Sequence, residues 1–185
     1  MITLESAAET LLSKDKILIL THRSPDGDTI GSGYALAMAL HRLGKTVRVD
    51  CTDPFPKKYS YFTDKLEKPE FDEEFVVSVD VADTKLLGER LSIYADKIDL
   101  CIDHHGSNTK FAKEYYVEAS AAAAAQVIAK LIRIMGVKID KDMANAIYTG
   151  ITTDTGCFRY TNTTAETHRI AADMIDCGAE SGMIN

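Results

Sequence analysis

The chain has 185 residues, 45% of them hydrophobic, which is the size and composition of one soluble globular domain with its own core. Its formal net charge of -7 argues against a general nucleic-acid surface, which needs a basic stripe, but leaves a short oligonucleotide or a mononucleotide open as substrate. The cysteines Cys51, Cys101, Cys157 and Cys177 form no C-x-x-C pair, which excludes a zinc ribbon and a thioredoxin motif.

Leu4, Ala7, Ala8, Leu11 and Leu12 recur at helical spacing and predict an amphipathic helix over 3–13. Glu5 and Glu9 within it, and the lack of a long apolar region, argue against a signal peptide. No stretch reaches the ~18 apolar residues of a membrane span, so the expectation is a soluble, cytoplasmic protein. Ile17–Leu20 suits a strand buried on both faces. A loop, Thr21-His-Arg-Ser-Pro-Asp-Gly-Asp-Thr-Ile-Gly-Ser32, leads into a helix predicted over 29–43 and stopped by Gly44. Gly31 and Gly33 are poor helix formers and imply tight packing of this helix against the sheet.

A second strand is predicted over 46–51. Pro54 and Pro56 mark a loop, followed by a short helix at 57–63. A third strand spans 75–79 and ends at Asp80; 84–94 reads as a helix. The fourth strand, 98–102, ends at Asp103-His104-His105-Gly106. A short fifth strand falls at 115–117. Helices follow over 120–135, from a cap at Asp140 to about Gly150, and over 164–177; residues 178–185 suggest no element. The alanine run 121–125 reads as plain helix. Cys51 and Cys101, at the ends of apolar runs, read as reduced core residues. Strands alternating with helices imply an α/β fold, a five-stranded parallel sheet with helices on both faces.

In such sheets, ligands sit beyond the carboxyl ends of the strands. His22, Asp26 and Asp28 follow strand one, Asp80 and Asp83 strand three, and Asp103, His104 and His105 strand four. Each has a bland alternative. Asp26 could shape a turn, Asp28 cap a helix, and Asp83 cap the next. Asp80 fits no cap, because it directly ends an apolar strand. Two of the five histidines are adjacent at 104–105, and neighbours in an extended segment diverge, so one suits a metal and the other a substrate. Asp103 could orient a ring nitrogen. Asp154, before Gly156, is a further candidate ligand or a turn residue. Arg159 is expected in a structural ion pair, with a phosphate as the alternative; His41 and His168 read as surface or cap residues. Carboxylates and imidazoles without thiolates suit manganese, magnesium or cobalt. Two such ions about 3.5–4 Å apart clamp a phosphoryl group, and a metal-bridging hydroxide then attacks in line.

The set His22-x-x-x-Asp26-x-Asp28-x-x-Gly31-Ser32, Asp80, Asp103-His104-His105 and Asp154 resembles the DHH phosphoesterases in all their motifs, in order. The resemblance implies a Rossmann-like three-layer domain. It implies one metal on His22, Asp26 and Asp80 and a second on Asp28, Asp80, His104 and Asp154, with Asp80 bridging and manganese the expected ion. His105 would meet the scissile phosphate. Within the family, Ser24–Ser32 and Phe158-Arg-Tyr-Thr-Asn-Thr163 are most similar to nanoRNases, the bifunctional oligoribonuclease and pAp phosphatases. Cyclic-dinucleotide phosphodiesterases follow; RecJ-like exonucleases and manganese pyrophosphatases are less similar. The implied substrates are short oligonucleotides or the nucleoside bisphosphate pAp, with no membrane or long duplex partner and room for a homodimer.

The resemblance identifies 1–185 as the catalytic domain and implies that the family's C-terminal, glycine-rich substrate-binding domain is absent from this chain. Gln126 falls near a helix position where the family often has glutamate, which points to metal binding with poor turnover. Two rivals remain. A metal- or nucleotide-binding domain without turnover fits a chain lacking the second lobe. Haloacid-dehalogenase enzymes use Asp-x-Asp with the first aspartate as nucleophile, but directly after a strand, whereas His22-Arg-Ser-Pro25 intervenes here.

Overall fold

A strand with helices on both sides has no solvent face, so its residues need not alternate. The computed structural model, which describes all of Met1–Asn185, shows this in β1 (Ile17–Leu20), β3 (Phe75–Val79) and β4 (Leu100–Asp103), each buried at every position. With β2 (Val47–Asp50) and β5 (Glu114–Val117) they form one five-stranded sheet, all parallel, in the order β2-β1-β3-β4-β5. Leu20 pairs with Ser78 and Val79 with Ile102, so β1, β3 and β4 end on one rim. The chain runs from β1 outward to β2, then returns to β3 on the other side of β1. That reversal opens a crevice between the ends of β1 and β3.

The two faces are unequal. Ile17, Ile19, Val77, Val79 and Ile102 share a core with α1 (Leu4–Ser13), α2 (Gly27–Arg42), α5 (Ala124–Ile134), α6 (Lys141–Asp154) and α7 (Ala165–Asp176). Leu18, Leu20, Val76 and Cys101 face a smaller cluster with Leu87 and Leu91. The segment covering that second face is not one helix over 84–94. Gly88, at φ 77°, divides a 3-10 turn at Thr84–Leu87 from the short α4 (Gly88–Leu91) and a further turn at Ser92–Tyr94. A side chain at Gly88 would press on Thr52. Asp83 caps the first turn, accepting from the Lys85 amide at 2.9 Å. Cys51 and Cys101 are buried and unbridged, as expected. The remaining helices are short, α3 (Ser60–Thr63) and α8 (Ser181–Ile184), the latter where no element was expected. No helix is long and apolar enough to cross a membrane.

Helix starts also shift. α5 opens at Ala124 rather than 120, because Ala123 is extended (φ −157°, ψ 150°) and the next amides turn toward Asp28. The glycines of α2 divide their work. Gly33 faces the sheet, where a Cβ would lie 3.0 Å from Thr21 Cγ2 and 3.3 Å from Val49 Cγ1. Gly31 instead faces α6, and a Cβ there would run into the Ala146 carbonyl oxygen. Gly150 on α6 is as tight, with a Cβ position 2.7 Å from Asp28 Oδ1.

Gly31→Ala therefore separates two effects. Helix propensity favours alanine by about 1 kcal/mol, whereas overpacking against a carbonyl that cannot rotate away costs about 1–3 kcal/mol. The net expectation is a lower Tm in thermal unfolding. An unchanged or raised Tm would mean that α2 and α6 separate freely.

Candidate metal centre

The loop after β1 turns two aspartates in different directions. Asp26 is the helix cap: its Oδ1 accepts from the amides of Asp28 at 3.0 Å and Thr29 at 3.1 Å. Asp28 is no cap. It points inward, fully buried, and accepts from the Ala124 and Ala125 amides at 2.6 and 2.9 Å and from Ser32 Oγ at 3.1 Å. The positive end of α5 thus faces this carboxylate. Burial, and then the Asp154 charge, still push Asp28 up to about 7, against the opposing pull of His104.

Asp80 follows β3 in the left-handed region, at φ 59°. That conformation is costly for a residue with a Cβ, though aspartate tolerates it better than most. Asp80 is 2% exposed, and its Oδ1 has no hydrogen-bond partner. Burial and then Asp28 raise its pKa well above the carboxylate range.

His22 and His104 share one design. Nδ1 of His22 lies 2.8 Å from the Arg23 carbonyl oxygen, and Nδ1 of His104 lies 3.1 Å from that of Ala121. A carbonyl only accepts, so each Nδ1 carries a hydrogen, and it is Nε2 that offers a lone pair once the ring is neutral. His22 Nε2 sits 3.5 Å from Asp80 Oδ2 and 3.8 Å from Asp26 Oδ1. His104 Nε2 sits 3.6 Å from Asp80 Oδ1, 3.7 Å from Asp28 Oδ2 and 3.2 Å from Asp154 Oδ2, aligned for a hydrogen bond with none of them. Burial would lower the His104 pKa. The neighbouring Asp154, Asp28 and Asp80 carboxylates overcome that and raise it to about 10.

Two groups of ligand atoms share no residue, His22–Asp26–Asp80 and Asp28–His104–Asp154, each mutually within 4.8 Å; a third, Asp80–His104–His105, overlaps both. Asp80 turns one oxygen to each group. A buried carboxylate oxygen and a buried imidazole nitrogen, both without partners, are costly unless a cation lies between them. The donor set, carboxylate and imidazole only, fits a hard or borderline divalent ion.

His105 is different. Its Nδ1 bonds Asp103 Oδ1 at 2.8 Å, so the nitrogen that comes within 3.6 Å of Asp80 Oδ1 is already engaged. Asp103 also accepts from the His104 amide at 2.8 Å and from Asn108 Nδ2 at 2.7 Å. Burial would raise Asp103, but the His105 and Asn108 bonds win and hold it below the usual range. The His105 side chain is 41% exposed, with Nε2 left as its free nitrogen.

Asp154 ends α6, which runs four residues past Gly150, so it sits on a helix rather than in a turn. Asn162 Nδ2 ties it down, donating to the carbonyls of Asp154 at 3.0 Å and Ala122 at 3.1 Å. Arg159 forms no ion pair, contrary to expectation: its Nε donates to the Gly156 carbonyl at 2.8 Å. Gln126 belongs to neither group. It is buried between α5 and α7, bonded to Glu166 at 3.0 Å and Thr167 at 3.1 Å. His41 is exposed, and so is His168, whose ring stacks on Phe158. Spacing alone missed Asn108, Ser32, the Ala121 carbonyl and the paired amides of Ala124 and Ala125.

Comparison with known proteins agrees with this geometry. The family model for the DHH family, N-terminal domain, matches residues 16–151. The bifunctional oligoribonuclease and PAP phosphatase NrnA of Thermus thermophilus is 36% identical over 89% of this chain and 51% of its own length. The protein of that name from Bacillus subtilis is 26% identical over 90% of this chain and 54% of its own. The chain thus spans about half the length of the curated relatives it matches. Among solved structures, an exopolyphosphatase-related protein from Bacteroides fragilis superposes with a TM-score of 0.87 at 25% identity, over 98% of this chain and 58% of that one. Exonuclease RecJ bound to manganese shares the fold, with a TM-score of 0.62 at 13% identity over 95% of this chain and 48% of that one. With the match running from β1 almost to the end of α6, through the segments that carry every candidate ligand except Asp154, the chain belongs to the DHH family.

Proposed function

We propose that residues 1–185 act as the catalytic domain of a metal-dependent phosphoesterase. Its substrates are short oligonucleotides, cut at phosphodiester bonds, and the 3′-phosphate of pAp. The observation that carries this is Asp80: a buried carboxylate, one oxygen without a partner, shared between two ligand groups at the crevice of a parallel sheet. The names of the Thermus and Bacillus relatives support the substrate class.

His22, Asp26 and Asp80 would hold one divalent ion. Asp28, Asp80, His104 and Asp154 would hold another. Manganese is the first choice; oxygen and nitrogen donors also admit magnesium or cobalt. Such a pair supplies Lewis acidity to a phosphoryl oxygen and lowers the pKa of an attacking water. The protein's own work is positional. Backbone carbonyls fix the tautomers of His22 and His104. Asp103, steadied by Asn108, fixes the His105 ring through Nδ1, so that in the imidazolium form its remaining Nε2–H can donate to a phosphate or a leaving oxygen. No side chain acts as nucleophile, so no phosphoaspartate should be trapped on Asp26.

Asp80→Ala should lose both ions in metal analysis. Its manganese-dependent hydrolysis of pAp and of a dinucleotide should fall by more than the roughly 10–100-fold typical of an outer partner. Asp83→Ala, which removes only a cap, is the control. Manganese-dependent activity surviving in Asp80→Ala rejects the assignment. Metal binding without any hydrolysis by the unaltered chain supports a binding domain instead.

The raised pKa values make a second test. A group whose folded pKa is raised holds the folded state best while protonated, and that contribution fades as pH climbs through the folded value. For Asp28 the window runs from its ordinary 3.8 to about 7, and for His104 from 6.5 to about 10. Both have the same sign, so in chelator the Tm should fall from pH 6 to pH 9. Metal ligands bind deprotonated, so saturating manganese should remove that slope. A metal-free Tm that is flat or rises over this range contradicts the arrangement.

A further inference from the structure

The edge strand β2 ends beside a cavity of about 650 Å³ that neither ligand group touches. Its lining includes Asp50, Asp53, Phe55, Lys57, Asp64 and Lys68. The volume falls within the roughly 300–1,000 Å³ of small-molecule sites. A second cavity of about 470 Å³ shares Val49, Asp50 and Lys68 with it and continues past Arg90 and Tyr94. Together they form one groove along the outer side of β2.

The groove starts at the metal loop. The Ser24 amide donates to Asp53 at 2.6 Å, and Cys51 Sγ donates to the His22 carbonyl at 3.2 Å. One wall of the cavity is therefore tied to the stretch that carries His22 and Asp26. The charges inside sort themselves. Asp50 is matched by a two-pronged ion pair with Arg90, at 2.6 and 3.0 Å. Asp53 is engaged by the Ser24 amide. Lys57 and Lys68 form no ion pair with any carboxylate, Asp64 and Glu70 on the same walls form none with any cation, and the Lys68 ammonium lies over the Phe55 ring at 5.8 Å. Behind Phe55, edge-on at 5.4 Å, stands Tyr34, whose buried hydroxyl has no partner and lies within reach of the Asp50 and Asp64 charges.

Ammonium groups beside an aromatic ring, in adjoining cavities of about 650 and 470 Å³, are features of a single-stranded track. We infer that this groove holds the nucleotides that follow the scissile one, with Lys57 and Lys68 on their phosphates and Phe55 against a base. The inference rests on the phosphoesterase reading and deepens it. It separates the two substrate types: a mononucleotide occupies only the metal crevice, whereas an oligonucleotide also occupies the groove.

The test uses hydrolysis-resistant phosphorothioate pentaadenylate and adenosine 5′-monophosphate, binding to the unaltered chain and to the Lys57→Glu/Lys68→Glu double variant in manganese. Both lysines are on the surface, so the variant should fold, which circular dichroism checks. The pentamer should bind about ten-fold or more weakly to the variant, with a shallower salt dependence, while the mononucleotide changes less than about two-fold. Unchanged pentamer binding, or parallel loss of both ligands, overturns the groove. An unaltered chain that binds the mononucleotide as tightly as the pentamer overturns the groove alone. One that binds neither overturns the phosphoesterase reading with it.

Discussion

The buried carboxylate of Asp80 is the constraint around which the rest is arranged. It follows a fully buried strand in a left-handed conformation, and one of its oxygens is buried without a hydrogen-bond donor. Strain and desolvation act together at this position: the first favours glycine or asparagine, the second an uncharged side chain. Nothing in the apolar core requires an acid there. A glycine or asparagine would make the same turn at lower cost. What requires an acid is the crevice itself. The order β2-β1-β3 splits the ends of β1 and β3, and Asp80 stands where the loops from both meet.

The neighbours of Asp80 are held so that they cannot relax this cost by turning away. His22 and His104 are each locked by a backbone carbonyl. Asp28 is locked by three donors, two of them from the first turn of α5. That turn is placed by the tight seams at Gly31 and Gly150, so close helix packing and ligand position are one constraint. A looser α2–α6 contact would move Asp28 away from the amides that hold it. The candidate centre is therefore pre-formed by helix packing on the larger core face, while the broken 84–94 segment over the smaller face supplies no candidate ligand.

Much of this was legible in the sequence, and for physical reasons. The strand runs are apolar throughout and end abruptly in His, Asp or Asp-His-His, so both the parallel sheet and its functional rim could be read from spacing. Signals carried by the backbone were not legible. The alanine run 121–125 has uniform helix propensity, and only the tertiary pull of Asp28 decides that the helix starts at Ala124. Gly88 interrupts 84–94 because its φ is positive and Thr52 leaves no room for a side chain, which periodicity cannot report. Asn108 looks like any loop residue until Asp103 folds onto it. Arg159 meets no carboxylate, and its Nε donates instead to the Gly156 carbonyl three residues back, a local bond that residue type alone does not reveal.

Net charge finally ties stability to substrate. Asp26, Asp28, Asp80, Asp103 and Asp154 crowd one rim of a chain that is already acidic. A phosphate approaching that rim unaided meets like charge, and the carboxylates repel each other as well. Protons relieve the second repulsion, which is why Asp28, Asp80 and His104 all hold theirs above the ordinary range. Protons relieve the first only in part, since a neutral acid attracts no phosphate. Divalent cations relieve both at once. The same groups that crowd negative charge on this rim are thus the ones that the proposed phosphoester substrate would require cations to fill, while Lys57 and Lys68 beside β2 offer positive charge apart from them.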